Sequence, residues 1–341
     1  MRKSPLSVIG ITIVVFFAAV AILAPMLAPP VDPKDPYAIW HDGYGPTPRP
    51  PGSSVLEPFP RKSGWTTHYF GTAEGQLDIF YGCIWGTRTA FRIGVLVVVI
   101  SLIIGLLTGC LAGYYGGVID EILMRFTDVI LAFPGLILAM ALVIALPRIW
   151  AFDFGFPLVA IGIFLGLMFL GHFLKLQGLL APLLSISGTA IFIILYLWVL
   201  GTPPIYVAEL ELTDLDKVLM ALALVGWPGY TRVIRGEILR VKQEDYIEAA
   251  KAVGCSDVRI ILRHILPNSM YPVIIMASLD IGSIVLTAAA LSFLGIGAPL
   301  GYADWGQMIS LARASIWAGI ENPWQYWYTF TIPGIFIFVF V

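Results

Sequence analysis

Predominantly apolar runs long enough to cross a lipid bilayer recur along this chain, and they constrain its fold more than any other feature. The first run covers about 6–27 and the second about 92–114. A membrane-spanning helix needs about 20 such residues. Charged residues are 12% of the chain, against about 25% in soluble domains. The sequence therefore predicts an all-α, polytopic transmembrane helical bundle.

Further spans are predicted along the rest of the chain. The run at 217–234 is short and contains Trp227-Pro228-Gly229, which predicts a broken or kinked helix. Such a kink would suit helix packing or a gate. The stretch 28–64 is polar and rich in proline, so it is predicted to lie outside the lipid. The other predicted spans are about 126–147, 156–174, 183–201, 269–294 and the run from Trp327 to the end of the sequence.

The distribution of basic residues predicts the orientation. Arg2 and Lys3 place the N-terminus in the cytoplasm, because positive residues favour that side. Counting spans then puts 28–90 and 202–216 outside and the basic loop 235–268 inside. The first apolar run exceeds the 7–15 residues usual for a cleaved signal peptide, so a retained first span in a cell membrane is favoured.

The sequence gives little indication of other chemistry. No residues have the spacing of a metal site or of a nucleophile with its base, so neither catalytic nor metal-binding residues are predicted. The net charge of −2 does not suggest nucleic-acid binding. Cys83, Cys110 and Cys255 are assigned to different sides or depths of the membrane, so no structural disulfide is expected. Scarce Asn and Gln are a mild indication of a thermophilic source, although membrane composition accounts for much of this.

One charged segment, from Tyr246 to Asn268, differs from the apolar chain around it and predicts two short helices. Gly254 is expected to end the first helix, since glycine is the usual residue after a helix C-terminus. Ser256 is the expected N-cap of the second helix, and Asp257 is favourable near its positive end. Pro267 is predicted to end the second helix.

Both predicted helices are amphipathic. Such helices either lie on lipid headgroups or dock on a protein. The small residues Ala249, Ala250 and Ala252 allow close approach to a partner and favour docking on a protein. The apolar stripes are Tyr246, Ile247, Ala250 and Val253 on the first helix, and Val258, Ile261, Leu262 and Ile265 on the second.

The spacing of Glu248-Ala249-Ala250, Gly254 and Leu266-Pro267 resembles the EAA signature of bacterial and archaeal ABC importer permeases. His264 departs from the general pattern, which has Ile there, and is similar to the peptide-transporter branch. Other stretches resemble the C-type permease subunit of dipeptide and oligopeptide importers, namely "GTAEGQLD", "LALVGWPGYTRVIRGEIL", "LSFLGIG" and "DWGQM". The resemblance covers roughly 68–146 and 217–310.

The resemblance implies the fold of a type I ABC importer permease, with six family spans. The segment 147–216 is an insertion and is predicted to add about two spans as an apolar hairpin. The predicted domains are an N-terminal anchor with an extracellular segment at 1–90 and a transmembrane permease domain at 91–341. The coupling helices are expected at 240–268.

In this family the charged loop couples the permease to ATP hydrolysis. The resemblance implies a complex with a second homologous permease, two ABC ATPase subunits that bind ATP and Mg²⁺, and an extracellular solute-binding protein. This chain has no G-x-x-x-x-G-K-[ST] stretch to cradle phosphates, so no cofactor is expected in it. The residues assigned to coupling are Tyr246, Glu248, Ala249, Ala250, Lys251, Gly254, Asp257, Arg259, Leu266 and Pro267.

The resemblance implies a peptide substrate and leaves an oligosaccharide as the alternative. A secondary transporter is a third class, but it would carry several intramembrane ionisable residues and inverted repeats. Asp280 is the one deep acid. An intramembrane carboxylate faces protein or water, so Asp280, Ser283 and Thr287 are candidates for a translocation pathway, and a purely structural carboxylate is the other interpretation.

Overall fold

The computed structural model describes residues 5–43, 45–55, 66–147, 149–152, 208–318 and 324–341. Helices dominate this part of the chain, which confirms the predicted all-α class. The helices are α1 (Pro5–Leu27), α2 (Ile79–Tyr115), α3 (Gly117–Leu131), α4 (Gly135–Ala145), α5 (Asp214–Val241), α6 (Asp245–Ala252), α7 (Asp257–Ile260), α8 (Leu266–Phe293), α9 (Trp305–Ala318) and α10 (Trp327–Phe340).

Two compact units divide the chain. One comprises Met1–Leu146 with Asp214–Val341, and the other is Pro147–Thr213. In the second unit, strand β3 (Ile149–Phe152) pairs antiparallel with strand β4 (Ala208–Glu211). The predicted inserted spans at 156–174 and 183–201 lie outside the described residues.

Close packing of α2 on α5 forms the centre of the first unit. Gly105, Gly109 and Gly113 follow one another at intervals of four residues, so they lie on one face of α2. A Cβ added at Gly105 would lie 2.4 Å from the Cβ of Tyr230, and one at Gly109 would lie 2.9 Å from that of Ile234. Small residues at this spacing let two membrane helices approach backbone to backbone.

The span predicted at 126–147 is not one continuous helix. Helices α3 and α4 are separated by a short break and bent by 92°. Pro134 explains the break, because a proline disfavours helical geometry at the residue before it and cannot donate a backbone hydrogen bond. Helix α3 is bound to α5 instead: Arg235 donates two hydrogen bonds of 2.5 Å to the carboxylate of Asp120.

The break predicted in the 217–234 span is also wrong. Helix α5 runs from Asp214 to Val241 as one helix that includes Pro228. Trp227 and Pro228 are buried, and the Trp227 ring stacks on Phe126 of α3 with ring centroids 5.9 Å apart. The helix therefore continues through a proline that is buried in the bundle.

Pro267 does not end the second short helix, contrary to the prediction. Asp257–Phe293 is one helical run of 37 residues, in which α7 passes through a π-helical turn at Ile261–Ile265 into α8. The N–H of Leu266 donates to the carbonyl of Ile261, five residues back. The wider turn accommodates the proline, and π turns of this kind are inserted in α-helices.

A buried polar cluster ties the segment before α2 to its first turn. His68, at the end of strand β2 (Thr67–His68), has one ring nitrogen 2.7 Å from Asp78 and the other 3.2 Å from Asp42. Asp78 is also the N-cap of α2, which begins at Ile79 rather than at the predicted residue 92. The predicted domain boundary at residue 90 therefore falls within a helix. Strand β2 pairs with β1 (Ser53–Ser54).

Within the part of the chain that the structure describes, three helical runs are long and apolar enough to cross a membrane: Val8–Leu27, Ile79–Tyr115 and Asp257–Phe293. The bent pair of α3 and α4 is a fourth candidate. Helices α1, α9 and α10 meet around an aromatic cluster, in which Phe17 contacts Trp305, Phe336 and Phe340 at centroid distances of 5.3–6.2 Å.

Candidate functional site

The turn between α6 and α7 in the charged segment forms as the sequence predicts. Helix α6 ends one residue before Val253, and Gly254 follows with φ of +82°, a conformation that favours glycine. The N–H of Cys255 donates to Ala250 O (3.0 Å) and that of Gly254 to Lys251 O (2.9 Å). These two bonds form a Schellman motif, which fixes the angle between α6 and α7.

The predicted N-cap at Ser256 is correct in position but not in mechanism. Ser256 occupies the N-cap site of α7 with an extended backbone, and its carbonyl accepts from the N–H of Ile260 (3.0 Å). Its side chain makes no capping hydrogen bond. The carboxylate of Asp257 instead accepts a hydrogen bond from Tyr114.

The buried face of the segment differs from the predicted stripes. Ile247, Ile260 and Ile265 are fully buried and pack with Ile238 of α5. Ile260 and Ile265 are five residues apart across the π turn, whereas the prediction assumed the regular α-helical period of 3.6 residues per turn. Side chains predicted to pack are exposed instead, at 42% for Tyr246, 83% for Val253, 62% for Val258 and 61% for Leu262.

Tyr114, in the last turn of α2, anchors the segment to the bundle. Its hydroxyl donates to Asp257 Oδ1 at 2.5 Å, and its carbonyl accepts from Lys242 Nζ at 2.5 Å. The Nζ atom of Lys251 lies 6.0 Å from the centre of the Tyr114 ring. Sequence reasoning missed this residue, since nothing in the local pattern distinguishes Tyr114 from the adjacent Tyr115.

The segment leaves a mixed apolar and charged surface to solvent. The four exposed apolar side chains described above stand among charged ones, and exposed apolar surface rimmed by polar residues is typical of interaction sites. Most of the predicted coupling residues lie on this surface, namely Tyr246, Glu248, Ala249, Lys251, Gly254, Asp257, Arg259 and Pro267, while Ala250 and Leu266 are half-buried.

The predicted pathway residues lie along one side of α8. Asp280 is half-buried, Ser283 is exposed, and Thr287 lines a cavity of about 350 Å³ between α4, α5 and α8. The carboxylate of Asp280 lies next to the buried hydroxyl of Tyr230 on α5 and interacts with it. Gly282 does not belong to this side of α8, because it packs against the backbone of Val341.

Within the described parts of the chain, no group of three His, Cys, Asp or Glu side chains could hold a metal ion. The candidate site combines the anchored, exposed segment of α6 and α7 at one end of the bundle with a polar side of α8 within it.

Comparison with known families identifies the class of protein. The model of the family described as "Binding-protein-dependent transport system inner membrane component" matches residues 105–341. A second model, "N-terminal TM domain of oligopeptide transport permease C", matches residues 1–46. The chain belongs to the first family, and its resemblance to the ABC importer permeases is confirmed. It is an integral membrane protein and a component of a transport complex.

Two relatives agree with this assignment. The chain is 30% identical over 341 residues to the "Dipeptide transport system permease protein DppC" of Alkalihalophilus pseudofirmus, covering all of this chain and 82% of that protein. It is 31% identical over 334 residues to the "Probable D,D-dipeptide transport system permease protein DdpC" of Escherichia coli, covering 98% and 81%. A chain in the crystal structure of "an amino acid ABC transporter with histidines" has a TM-score of 0.41 and 15% identity, covering 76% and 86%.

Proposed function

We propose that this chain forms half of a translocation pathway that imports short peptides across a prokaryotic cell membrane. The observation that carries the proposal is the anchored segment of α6 and α7, whose exposed face has the residues and the rigidity of a docking element. The relatives named as dipeptide permeases support a peptide as the substrate. The oligosaccharide alternative has no comparable support.

The proposed complex contains a second homologous permease, two ABC ATPase subunits and an extracellular solute-binding protein. The ATPase subunits would bind ATP and Mg²⁺, and this chain would perform no chemical step itself. Its N-terminus would lie in the cytoplasm, which puts α6 and α7 on the same side as the ATPases. This orientation also puts the loop between α8 and α9 outside.

The contacts of the segment support a mechanical role. Asp257 is bound to Tyr114 of α2, and Ile247 and Ile260 are buried against α5. Helix α5 is bound in turn to α3 through Arg235 and Asp120. A displacement of the docked segment would therefore move α2, α3 and α5 together, as in a rigid-body transition between inward-facing and outward-facing states.

The experiment measures ATP hydrolysis stimulated by peptide-loaded binding protein in the assembled, purified complex. Gly254→Pro should abolish the stimulation, because proline fixes φ near −65° and removes the N–H that donates to Lys251. Glu248→Arg should lower it at least tenfold by reversing a charge on the docking face.

Glu121→Arg is the matched control, since Glu121 is an exposed acid on α3 outside the segment. It should keep the stimulation of the unmodified protein. If Gly254→Pro and Glu248→Arg both assemble and retain full stimulation, the coupling role is refuted.

A further inference from the structure

A second ion pair joins α3 to α5, in addition to Arg235 and Asp120. Arg232 of α5 donates from Nη2 to Asp128 Oδ1 at 2.5 Å, and the two side chains are 52% and 60% exposed. The side chains of Arg235 and Asp120 are only 31% and 19% exposed. The Arg232 pair is therefore much more open to its surroundings than the Arg235 pair.

The packing of α2 on α5 gives the depth of Arg232 in the membrane. Gly105 and Gly109 contact α5 on either side of Arg232, at Tyr230 and Ile234. Arg232 therefore lies level with Leu107. The uncharged run of α2 over residues 93–115 is about 35 Å long, close to the hydrocarbon thickness of about 30 Å. Leu107 is about 12 Å from the nearer end of that run at 1.5 Å per residue, so Arg232 lies at a depth that lipid tails occupy.

A charged pair at this depth requires water or protein beside it. Charged side chains within membrane spans almost always face the bundle interior or a water-filled cavity, and they mark substrate pathways. Val225 lines the cavity of about 350 Å³ that Thr287 also lines. Arg232 follows Val225 by seven residues, which is close to two helical turns, so both lie on one face of α5. The face that lines the cavity therefore continues to Arg232.

Glycines stand one turn before and one turn after Arg232 on this face. Gly229 precedes it by three residues and Gly236 follows it by four. A Cβ added at Gly236 would meet no atom within 4 Å, and one at Gly229 would lie 3.1 Å from the end of the Met276 side chain. Arg232 is therefore a lone charged side chain beside open space.

The hydrogen bonds of Arg232 leave some of its donors unused. A guanidinium has five N–H donors in a planar fork. Arg235 uses both its Nε and its Nη2 atom on the two carboxylate oxygens of Asp120. Arg232 donates from Nη2 alone, and its Nε and Nη1 atoms have no hydrogen-bond partner in the part of the chain that the structure describes. Arg232 therefore keeps donors for a further acceptor, and carboxylates are among the acceptors that a guanidinium binds most strongly.

We propose that Arg232 binds the terminal carboxylate of a peptide during its passage through the membrane, and this rests on the proposed peptide import. Asp128 holds the guanidinium through Nη2, and the peptide carboxylate takes the donors that Asp128 leaves. Asp128 is thus a positioning residue, and Arg232 is a specificity-determining one. Neutral oligosaccharides have no carboxylate to offer to Arg232, so the residue favours peptides over them.

The first test measures import of dialanine into proteoliposomes by the assembled complex, with its binding protein saturated. Arg232→Gln should slow import at least tenfold, because the amide of glutamine has no positive charge. Asp128→Asn should slow import less than threefold, because it leaves the charge of Arg232 in place. A purely structural ion pair is broken by neutralising either partner, so equal losses in the two variants would contradict the proposal.

Arg125→Gln is the matched control. Arg125 is an exposed arginine of α3 whose hydrogen bonds go to Glu121 on the same helix. This variant should import dialanine at the rate of the unmodified complex.

The second test keeps Arg232 and measures whether water reaches its face of α5. The three native cysteines are replaced by alanine, and the complex is placed in nanodiscs. Gly236→Cys should then react with an anionic, membrane-impermeant methanethiosulfonate reagent. Leu111→Cys is the matched control, because Leu111 is exposed on α2 at the same level, and it should stay unlabelled. An unreactive Gly236→Cys would show that lipid or the second permease covers this face, and the proposal would fail.

Import also separates this proposal from the proposed function. If Arg232→Gln imports dialanine as fast as the unmodified complex, the carboxylate site is overturned and peptide import still stands. An unmodified complex that imports no peptide would overturn both.

Discussion

Asp304 carries a buried carboxylate in the loop between α8 and α9. Its burial raises its pKa to about 6, while hydrogen bonds from the backbone of Gln307 and Gly306 and the side chain of Ser292 oppose the shift. The ordinary value is 3.8, so the folded protein binds this proton more tightly than the unfolded chain does. Protonation therefore stabilises the fold as the pH falls from above 6 towards 4.

Asp304→Asn should remove this dependence, because asparagine keeps the oxygen that caps α9 and carries no charge. At pH 7.5 the variant should be as stable as the unmodified protein or more so, by up to about 3 kcal/mol at ~1.4 kcal/mol per pKa unit. The difference in melting temperature between the two proteins should shrink at pH 5. A difference that is constant with pH would contradict the assignment.

Asp280 allows a separate prediction within the membrane. If it faces the pathway, Asp280→Asn should assemble normally and change the import of cationic peptides several-fold more than that of neutral ones, because the amide keeps size and hydrogen bonding. Import of neutral and cationic peptides by the same preparation measures this. A lowered melting temperature with unchanged selectivity would leave only the structural interpretation.

At the scale of single elements, the close approach of α2 and α5 depends on glycine. Gly105→Leu should destabilise the bundle by about 1–3 kcal/mol through overpacking against Tyr230. Gly10→Leu is the matched control, since a Cβ at Gly10 of α1 would meet no atom within 4 Å. Melting temperatures of the two variants in detergent measure the effect, and equal values would show that the contact is not tight.

The elements also show what the sequence could and could not predict. Length and apolar composition identified α1, α2 and α8, because a bilayer demands a minimum run of residues. Prolines could not be interpreted locally: Pro134 is exposed and the helix breaks there, whereas Pro228 is buried and α5 continues. Tertiary packing decides whether a helix breaks at a proline or continues through it, and a single sequence does not show that packing.

The candidate site was predicted to a similar extent. The signature residues and the turn at Gly254 could be predicted because a known spacing and a glycine requirement mark them. The buried face of α7 could not, since the π turn at Ile261–Ile265 changes the helical period. The anchor at Tyr114 is distant in sequence from Asp257, and only the folded chain brings them together.

At the scale of the whole molecule, Tyr114 connects the charged segment of α6 and α7 to α2, the helix at the centre of the bundle. Tyr114→Phe keeps the ring and removes the hydrogen bond to Asp257. It should lower the ratio of peptide-stimulated to basal ATP hydrolysis two- to tenfold in the assembled complex. Tyr115→Phe, at the exposed neighbour, is the matched control and should leave the ratio unchanged. Equal ratios in both variants would assign the transmission to other contacts.

The helical run Asp257–Phe293 contains 37 residues, so at 1.5 Å per residue it is about 55 Å long. The hydrocarbon layer is about 30 Å thick, and the run therefore extends well beyond it as a lever. A tilt of about 10° around its midpoint would carry either end roughly 5 Å sideways, given that length. The π turn, near one end, is the point at which such a lever can flex.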